Sequence, residues 1–166
     1  MIYSTQYKSP IGNLLLASDG KNLIGLWIEK QKYFAGNITE KMIKNETLPI
    51  FIKTKKWLDG YFDNKNPKIS NLALKPQGTE FRKIVWNLLC EIPYGQTTTY
   101  GEIAKHVAKR LGKEKMSSRA VGSAIGHNPI SIIIPCHRVI GANGKITGYA
   151  GGVKKKIKLL KHENKN

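Results

Sequence analysis

Lys75-Pro76-Gln77-Gly78-Thr79-Glu80-Phe81 is the stretch on which the fold turns. Pro76 and Gly78 interrupt any element that runs into them, and Thr79 is a helix-capping residue just ahead of a periodic apolar run. Phe81, Val85, Leu88, Leu89 and Ile92 share one helical face, so a helix is expected over Phe81–Ile92, ended by Pro93-Tyr94-Gly95. Upstream the pattern is that of strands. Ile2–Lys8 alternates loosely, Pro10-Ile11-Gly12 reads as a turn, and Asn13–Ser18 is an apolar run too short for a helix. Asp19-Gly20 is a hairpin signal ahead of Leu23–Ile28, which predicts a three-stranded meander. Lys30–Thr47 is polar and aperiodic, hence loop. Leu48–Phe62 carries Ile50, Phe51, Thr54, Trp57, Leu58 and Tyr61 at helical spacing, and Asn71–Leu74 reads as one more short strand. The fold class is therefore α+β: a small sheet-and-helix domain, residues 1–75, and a helical domain, residues 76–166.

Downstream of Phe81 the helices are short. Thr98 or Thr99 caps Tyr100–Ala108, Lys109–Met116 is a basic connection, and Ser117 or Ser118 caps Arg119–Gly126. Two such helices are consistent with a helix-turn-helix, with Arg119–Gly126 as its reading helix, although the connection is long for that motif. Charge points the same way. The chain holds 28 Lys/Arg against 11 Asp/Glu, a net charge of +17 on 166 residues. Residues 81–166 hold 16 Lys/Arg against 4 Asp/Glu, net +12, and contain all four arginines, Arg82, Arg110, Arg119 and Arg138. A basic half with arginines suits phosphate and base edges, so nucleic acid is the expected partner. The bland reading is a solvated lysine-rich surface.

Asn128-Pro129-Ile130-Ser131-Ile132-Ile133-Ile134-Pro135-Cys136-His137-Arg138-Val139-Ile140 carries the chemistry. An apolar run stops at a proline and presents a thiol beside a base. A thiol needs a base or a positive field to react at neutral pH. Neighbours in a strand face opposite ways, so Cys136 and His137 meet only if the chain turns after Pro135. Read alone, Cys136 is better explained as a small, inert buried hydrophobe. Cys90, between Leu89 and Glu91 in a helix, is assigned to packing.

Pro135-Cys136-His137-Arg138-Val139 closely resembles the active-site motif of the O6-alkylguanine-DNA alkyltransferases. Phe81–Leu89, Tyr94-Gly95 and Thr99-Tyr100-Gly101-Glu102-Ile103-Ala104 resemble that family's first helices. Ser118-Arg119-Ala120-Val121-Gly122 with Asn128-Pro129 resembles its recognition helix and hinge. Gly148-Tyr149-Ala150-Gly151-Gly152 resembles its substrate lid, and Leu159-Leu160-Lys161-His162-Glu163 its last helix. The likeness covers about residues 76–163, while residues 1–75 match in outline as a ribonuclease H-like domain. It implies suicide repair of double-stranded DNA, with transfer of an alkyl group from O6 of guanine, or O4 of thymine, to Cys136. His137 would activate the thiol with Glu163 behind it, Tyr100 would protonate the departing base, and Asn128 would order the turn. Arg119, with Ser118, Ala120 and Gly122, would engage DNA and fill the gap left by a flipped base. Val139, Gly148, Tyr149, Ala150 and Gly151 would line the pocket. Ala150 is smaller than its counterpart in many relatives, which leaves room for larger alkyl groups.

Other classes are bounded too. No apolar run approaches the roughly 18 residues of a spanning helix, and the first residues lack a signal-peptide pattern. With two cysteines, and no Cys or His before Cys90, neither a disulfide framework nor an N-terminal zinc site is expected. The expectation is a cytoplasmic monomer without cofactor or metal. The alternatives are a non-catalytic binder of alkylated DNA, a plain helix-turn-helix protein, and a thiol hydrolase using Cys136 and His137.

Overall fold

The computed structural model describes residues 1–36 and 38–164. Strands β1 (Ile2–Ser9), β2 (Gly12–Ser18) and β3 (Leu23–Ile28) form the expected antiparallel meander, with Tyr3 opposite Ser18 and Leu14 opposite Ile28. The first turn needs glycine, since Gly12 has φ of 116°. A fourth strand, β4 (Met42–Lys44), pairs in parallel with β1 and completes the order β3-β2-β1-β4. Lys30–Thr47 is thus not all loop. Three mostly exposed residues carry no apolar pattern, and β4 forms because the edge of β1 offers unpaired backbone groups.

Strand β3 is buried along its whole length because its outer edge is also covered. The Leu23 amide donates to the Ala73 carbonyl and the Lys75 amide to the Leu23 carbonyl, both at 2.8 Å. The strand expected at Asn71–Leu74 is therefore one bridge at Leu74, after a 3-10 turn at Ile69–Asn71. Further along the same edge, the Leu26 amide donates to the Pro129 carbonyl (2.8 Å) and the Ser131 amide to the Leu26 carbonyl (2.9 Å). The segment leading to Cys136 is hydrogen-bonded to the N-terminal sheet. Helix α1 (Pro49–Phe62) buries Phe51, Leu58 and Tyr61.

Helix α2 (Glu80–Leu89) is capped by Thr79, whose hydroxyl accepts from the Arg82 amide at 3.2 Å. It ends before Ile92, and Cys90 stands at its C-terminal cap rather than inside it. Thr99 caps α3 (Tyr100–Arg110) and Ser117 caps α4 (Ser118–Gly126). The Trp86 indole donates to the Ala124 carbonyl at 2.8 Å and ties α2 to α4. Two-residue strands β5 (Thr98–Thr99) and β6 (Val139–Ile140) pair in parallel, and α5 (Val153–Glu163) closes the described chain. One apolar cluster runs from Leu14 and Phe51 through Val85 to Val121, Cys136 and Leu159. Each fully buried large side chain in it contributes about 1.5–3 kcal/mol. Both halves thus share one core. Among the described residues no helix is long and apolar enough to cross a membrane.

Candidate active site and nucleic-acid interface

The thiol is delivered by a stapled turn. Asn128, just after α4, accepts from the Ile130 amide at 3.0 Å and donates to the Ile134 carbonyl at 2.8 Å. Within that span the buried Ile132 has φ of 70°, a left-handed conformation that costs a β-branched residue about 1–3 kcal/mol. Pro135 then leads into a 3-10 turn, Cys136–Arg138, all three of whose side chains are buried. The turn removes the opposition of neighbouring side chains that a strand would impose. Cys136 is only 5% exposed. Burial pushes its thiol up, and the Asn128 amide and Lys156 charge offset this only in part. At rest the group is a thiol and needs a base.

Behind it lies a buried network centred on Glu163. His137 Nε2 donates to Glu163 Oε2 at 2.5 Å. Arg138 donates to the same carboxylate from Nε (2.8 Å) and Nη2 (3.2 Å), and Nη1 donates to the Ile92 carbonyl at 2.7 Å. The Tyr61 hydroxyl (2.6 Å) and the Gly95 amide (3.2 Å) complete the set. Burial alone would raise the Glu163 carboxyl, but His137, Arg138 and Tyr61 together hold it well below the carboxylate range. Burial lowers His137 from its ordinary value of 6.5, with Glu163 opposing, so the imidazole is neutral. A carboxylate can only accept, so the proton is on Nε2 and Nδ1 carries the lone pair. Nδ1 is buried with no hydrogen-bond partner among the described residues. It is a base nitrogen held in reserve.

Cys136 opens into a cavity of about 450 Å³ whose lining includes Tyr100, Gly122, Gly148, Tyr149 and Ala150. Thr147 donates to the Tyr100 hydroxyl at 3.1 Å. The hydroxyl of Tyr149 is buried, without a partner among the described residues, and its ring lies against the core. Gly151 permits this, because a Cβ there would stand 2.8 Å from both the Tyr149 ring and Ile28. Lys156 reaches up from α5 with no exposed surface, donating to the carbonyls of Val139 (2.6 Å) and Gly148 (3.3 Å). Its ammonium lies 5.9 Å from the centre of the Tyr100 ring. A buried cation so joins the lid, the nucleophile loop and the tyrosine. On the outer side α4 exposes Ser118 and Arg119, with Ala120 and Gly122 half-buried.

A thiol and a tyrosine share one cavity beside a helix that exposes an arginine, and the residue after the thiol is a buried neutral imidazole on a carboxylate. Two family models match this chain: 6-O-methylguanine DNA methyltransferase, ribonuclease-like domain, over residues 2–76, and the DNA binding domain of the same family over residues 80–165. The chain belongs to the 6-O-methylguanine DNA methyltransferase family. It is 48% identical over 159 residues to a methylated-DNA--protein-cysteine methyltransferase of Methanosarcina mazei, covering 96% of this chain and 95% of the relative. A Haemophilus influenzae protein of the same name is 44% identical over 162 residues, covering 98% and 86%. The solved structure of Mycobacterium tuberculosis OGT in complex with DNA superposes with a TM-score of 0.83 at 39% identity, covering 98% of this chain and 92% of that one.

For this 6-O-methylguanine DNA methyltransferase family member, Cys136, Tyr100, Gly148, Tyr149 and Ala150 line one cavity, while His137, Glu163 and Asn128 are buried outside its lining, His137 and Glu163 paired with each other and Asn128 bracing the turn that leads to Cys136. Val139 and Gly151, expected in the lining, do not line the cavity: Val139 is fully buried and contributes its carbonyl to Lys156, and Gly151 packs against Ile28 and the Tyr149 ring. Three residues that brace the site are not among the site residues expected from sequence. Arg138, grouped by sequence with the arginines suited to phosphate, is buried against Glu163 and turned away from any duplex. Tyr61 comes from α1, and only the tertiary fold brings it to Glu163. Lys156 is hidden in a lysine-rich tail, yet it shares a helix face with Leu159 and Glu163, and that spacing is the signal that distinguishes it. Among the described residues no cluster of His, Cys, Asp or Glu could hold a metal ion.

Proposed function

We propose that this chain repairs alkylated DNA directly, taking an alkyl group from O6 of guanine onto Cys136 in one irreversible step. Residues 76–166 carry DNA binding and alkyl acceptance, and residues 1–75 support them. The observation that carries the reading is the shared cavity of Cys136 and Tyr100, with the His137–Glu163 pair behind the thiol. Basic α3 and α4 engage the duplex, and Arg119 takes the place of the extruded guanine, offsetting unstacking that costs a few kcal/mol. His137 Nδ1 takes the thiol proton, directly or through one water, and Glu163 steadies the imidazolium. The sulfur attacks the alkyl carbon, a carbon–sulfur bond forms, and the carbon–O6 bond breaks with its electrons passing to guanine. Tyr100 gives its phenolic proton to the ring as the base departs, and the proton on His137 returns to it through solvent. Atoms balance: a thiol and an alkylguanine become a thioether and guanine. Every group named belongs to one chain, so a monomer suffices, and a reducing cytoplasm keeps Cys90 and Cys136 free.

The test is product formed against protein added, with methylated duplex in excess. The plateau should equal the protein concentration, with one methyl mapped to Cys136 by mass spectrometry. Cys136→Ser should abolish transfer and keep duplex binding, and Cys90→Ser should keep the single turnover. The Cys90 thiol is pushed up to about 11, chiefly by burial. Multiple turnovers, a methyl on Cys90, or bound but unreacted methylated DNA would overturn the assignment.

A further inference from the structure

We infer that Tyr33, stacked on His127, forms the outer wall of the acceptor cavity and sets the size of the alkyl group that reaches Cys136. The inference rests on the alkyl-transfer reading above. It begins in the segment after β3. Lys30, Tyr33 and Ala35 have φ of 64°, 58° and 63°, three left-handed non-glycine residues in six. Such strain persists only where surrounding structure holds it. Here the anchors are visible. The buried Gln31 accepts from the Ile28 amide (2.7 Å) and the Ser131 hydroxyl (3.2 Å), and donates to the Lys32 carbonyl (3.1 Å). The Lys32 amide donates to the Ala150 carbonyl at 3.0 Å. One short loop is thus tied both to the segment leading to Cys136 and to the lid.

Those anchors set Tyr33 in the lining of the cavity. Its ring lies 3.9 Å from that of His127, at 22° to it, and His127 is itself fixed by a 2.8 Å contact between Nδ1 and the Ser123 carbonyl at the end of α4. Both residues line the cavity that holds Cys136, and Tyr33 remains 52% exposed. Ala150 leaves space in the same cavity, and the aromatic pair takes space from it. A wall of two stacked rings on a braced loop yields little to a bulky group and leaves a methyl group unhindered.

The test compares single-turnover rates on duplexes carrying O6-methylguanine or O6-benzylguanine. Tyr33→Ala should raise the benzyl-to-methyl rate ratio about tenfold, as pocket volume of this order does elsewhere. His127→Ala should move it the same way, Tyr33→Phe should restore the wild-type ratio, and Tyr33→Trp should lower it. Equal loss on both duplexes in Tyr33→Ala and His127→Ala would reduce the loop to a structural or DNA-contacting role and overturn the inference. If Tyr33→Ala does not fold, the Tyr33→Trp ratio decides: no fall in it sinks the proposal. Failure of the wild-type chain to take even a methyl group would instead refute the alkyl-transfer reading.

Discussion

At the scale of single residues, the buried charges Glu163 and Lys156 have different uses. Glu163 anchors. Replacing it by Gln leaves the Arg138 guanidinium buried without its counter-charge, and breaking such pairs costs about 3–5 kcal/mol. Glu163→Gln should therefore lower Tm by about 10 °C, and a melting scan within about 2 °C of wild type would contradict that. The same network sets acid sensitivity. His137 is held below its ordinary 6.5 and Glu163 below 4.5, so in both ranges the unfolded chain binds protons that the folded one refuses. Stability should be full at neutral pH, decline as pH falls through 6.5, and decline again below 4.5. Melting at stepped pH measures this; a Tm that rises on acidification would refute it. Lys156 is the second charge. Lys156→Met removes two hydrogen bonds from a cation, each bond of that kind worth about 1.5–3 kcal/mol. Transfer should slow at least about tenfold, while binding to undamaged duplex persists because the ammonium is not at the surface.

At the scale of elements, α4 joins the two tasks. Its N-terminus exposes Ser118 and Arg119 toward solvent, and its C-terminus passes directly into the Asn128 turn that presents Cys136. A displacement at one end is therefore felt at the other within one short rigid helix. Arg119→Ala should slow transfer at least about tenfold, since it stops offsetting an unstacking cost of a few kcal/mol, yet weaken undamaged duplex binding only about two- to threefold. Equal losses in both measurements would make Arg119 an ordinary phosphate contact. The caps along this half, Thr79, Thr99 and Ser117, are each a hydroxyl accepting from the amide three residues on, a wholly local interaction. Local interactions of that kind are why the starts of α2, α3 and α4 could be anticipated to within one residue, while the ends of α2 and α3, which carry no such cap, were not.

At the scale of the whole molecule, charge is unevenly spread, with residues 81–166 at net +12 of a total of +17. If the duplex engages about four to six phosphates, log affinity should fall with log salt at a slope of about −4 to −5. A slope near zero would leave the basic half without a role in binding. The N-terminal half is more than a passive support. It covers the Cys136 segment along the edge of β3, sends Tyr61 to Glu163, and carries Tyr33 to the cavity. A fragment containing only residues 76–166 would expose the apolar cluster those contacts cover.

What the sequence determined by itself is what short-range physics encodes. The meander, α1, the capped helices and the break near Lys75–Gly78 follow from apolar period, turn residues and caps, each read within a few positions. Cys136 and His137 stood out as a thiol beside a base, whereas Tyr100 and Glu163 became candidates only through the resemblance of their motifs to the alkyltransferase family. What only tertiary structure decided depends on partners far along the chain. Strand β4 exists because β1 has a free edge, Asn71–Leu74 is one bridge because β3 needs no more, and β5 pairs with β6 across some forty residues. Tyr61, Lys156 and Tyr33 look like a core tyrosine, a surface lysine and a loop aromatic in isolation. The roles of Tyr61 and Lys156 arise when burial removes water and leaves each polar group to find its partner among the side chains and carbonyls that the fold brings within reach, and Tyr33 is placed by its stack on His127.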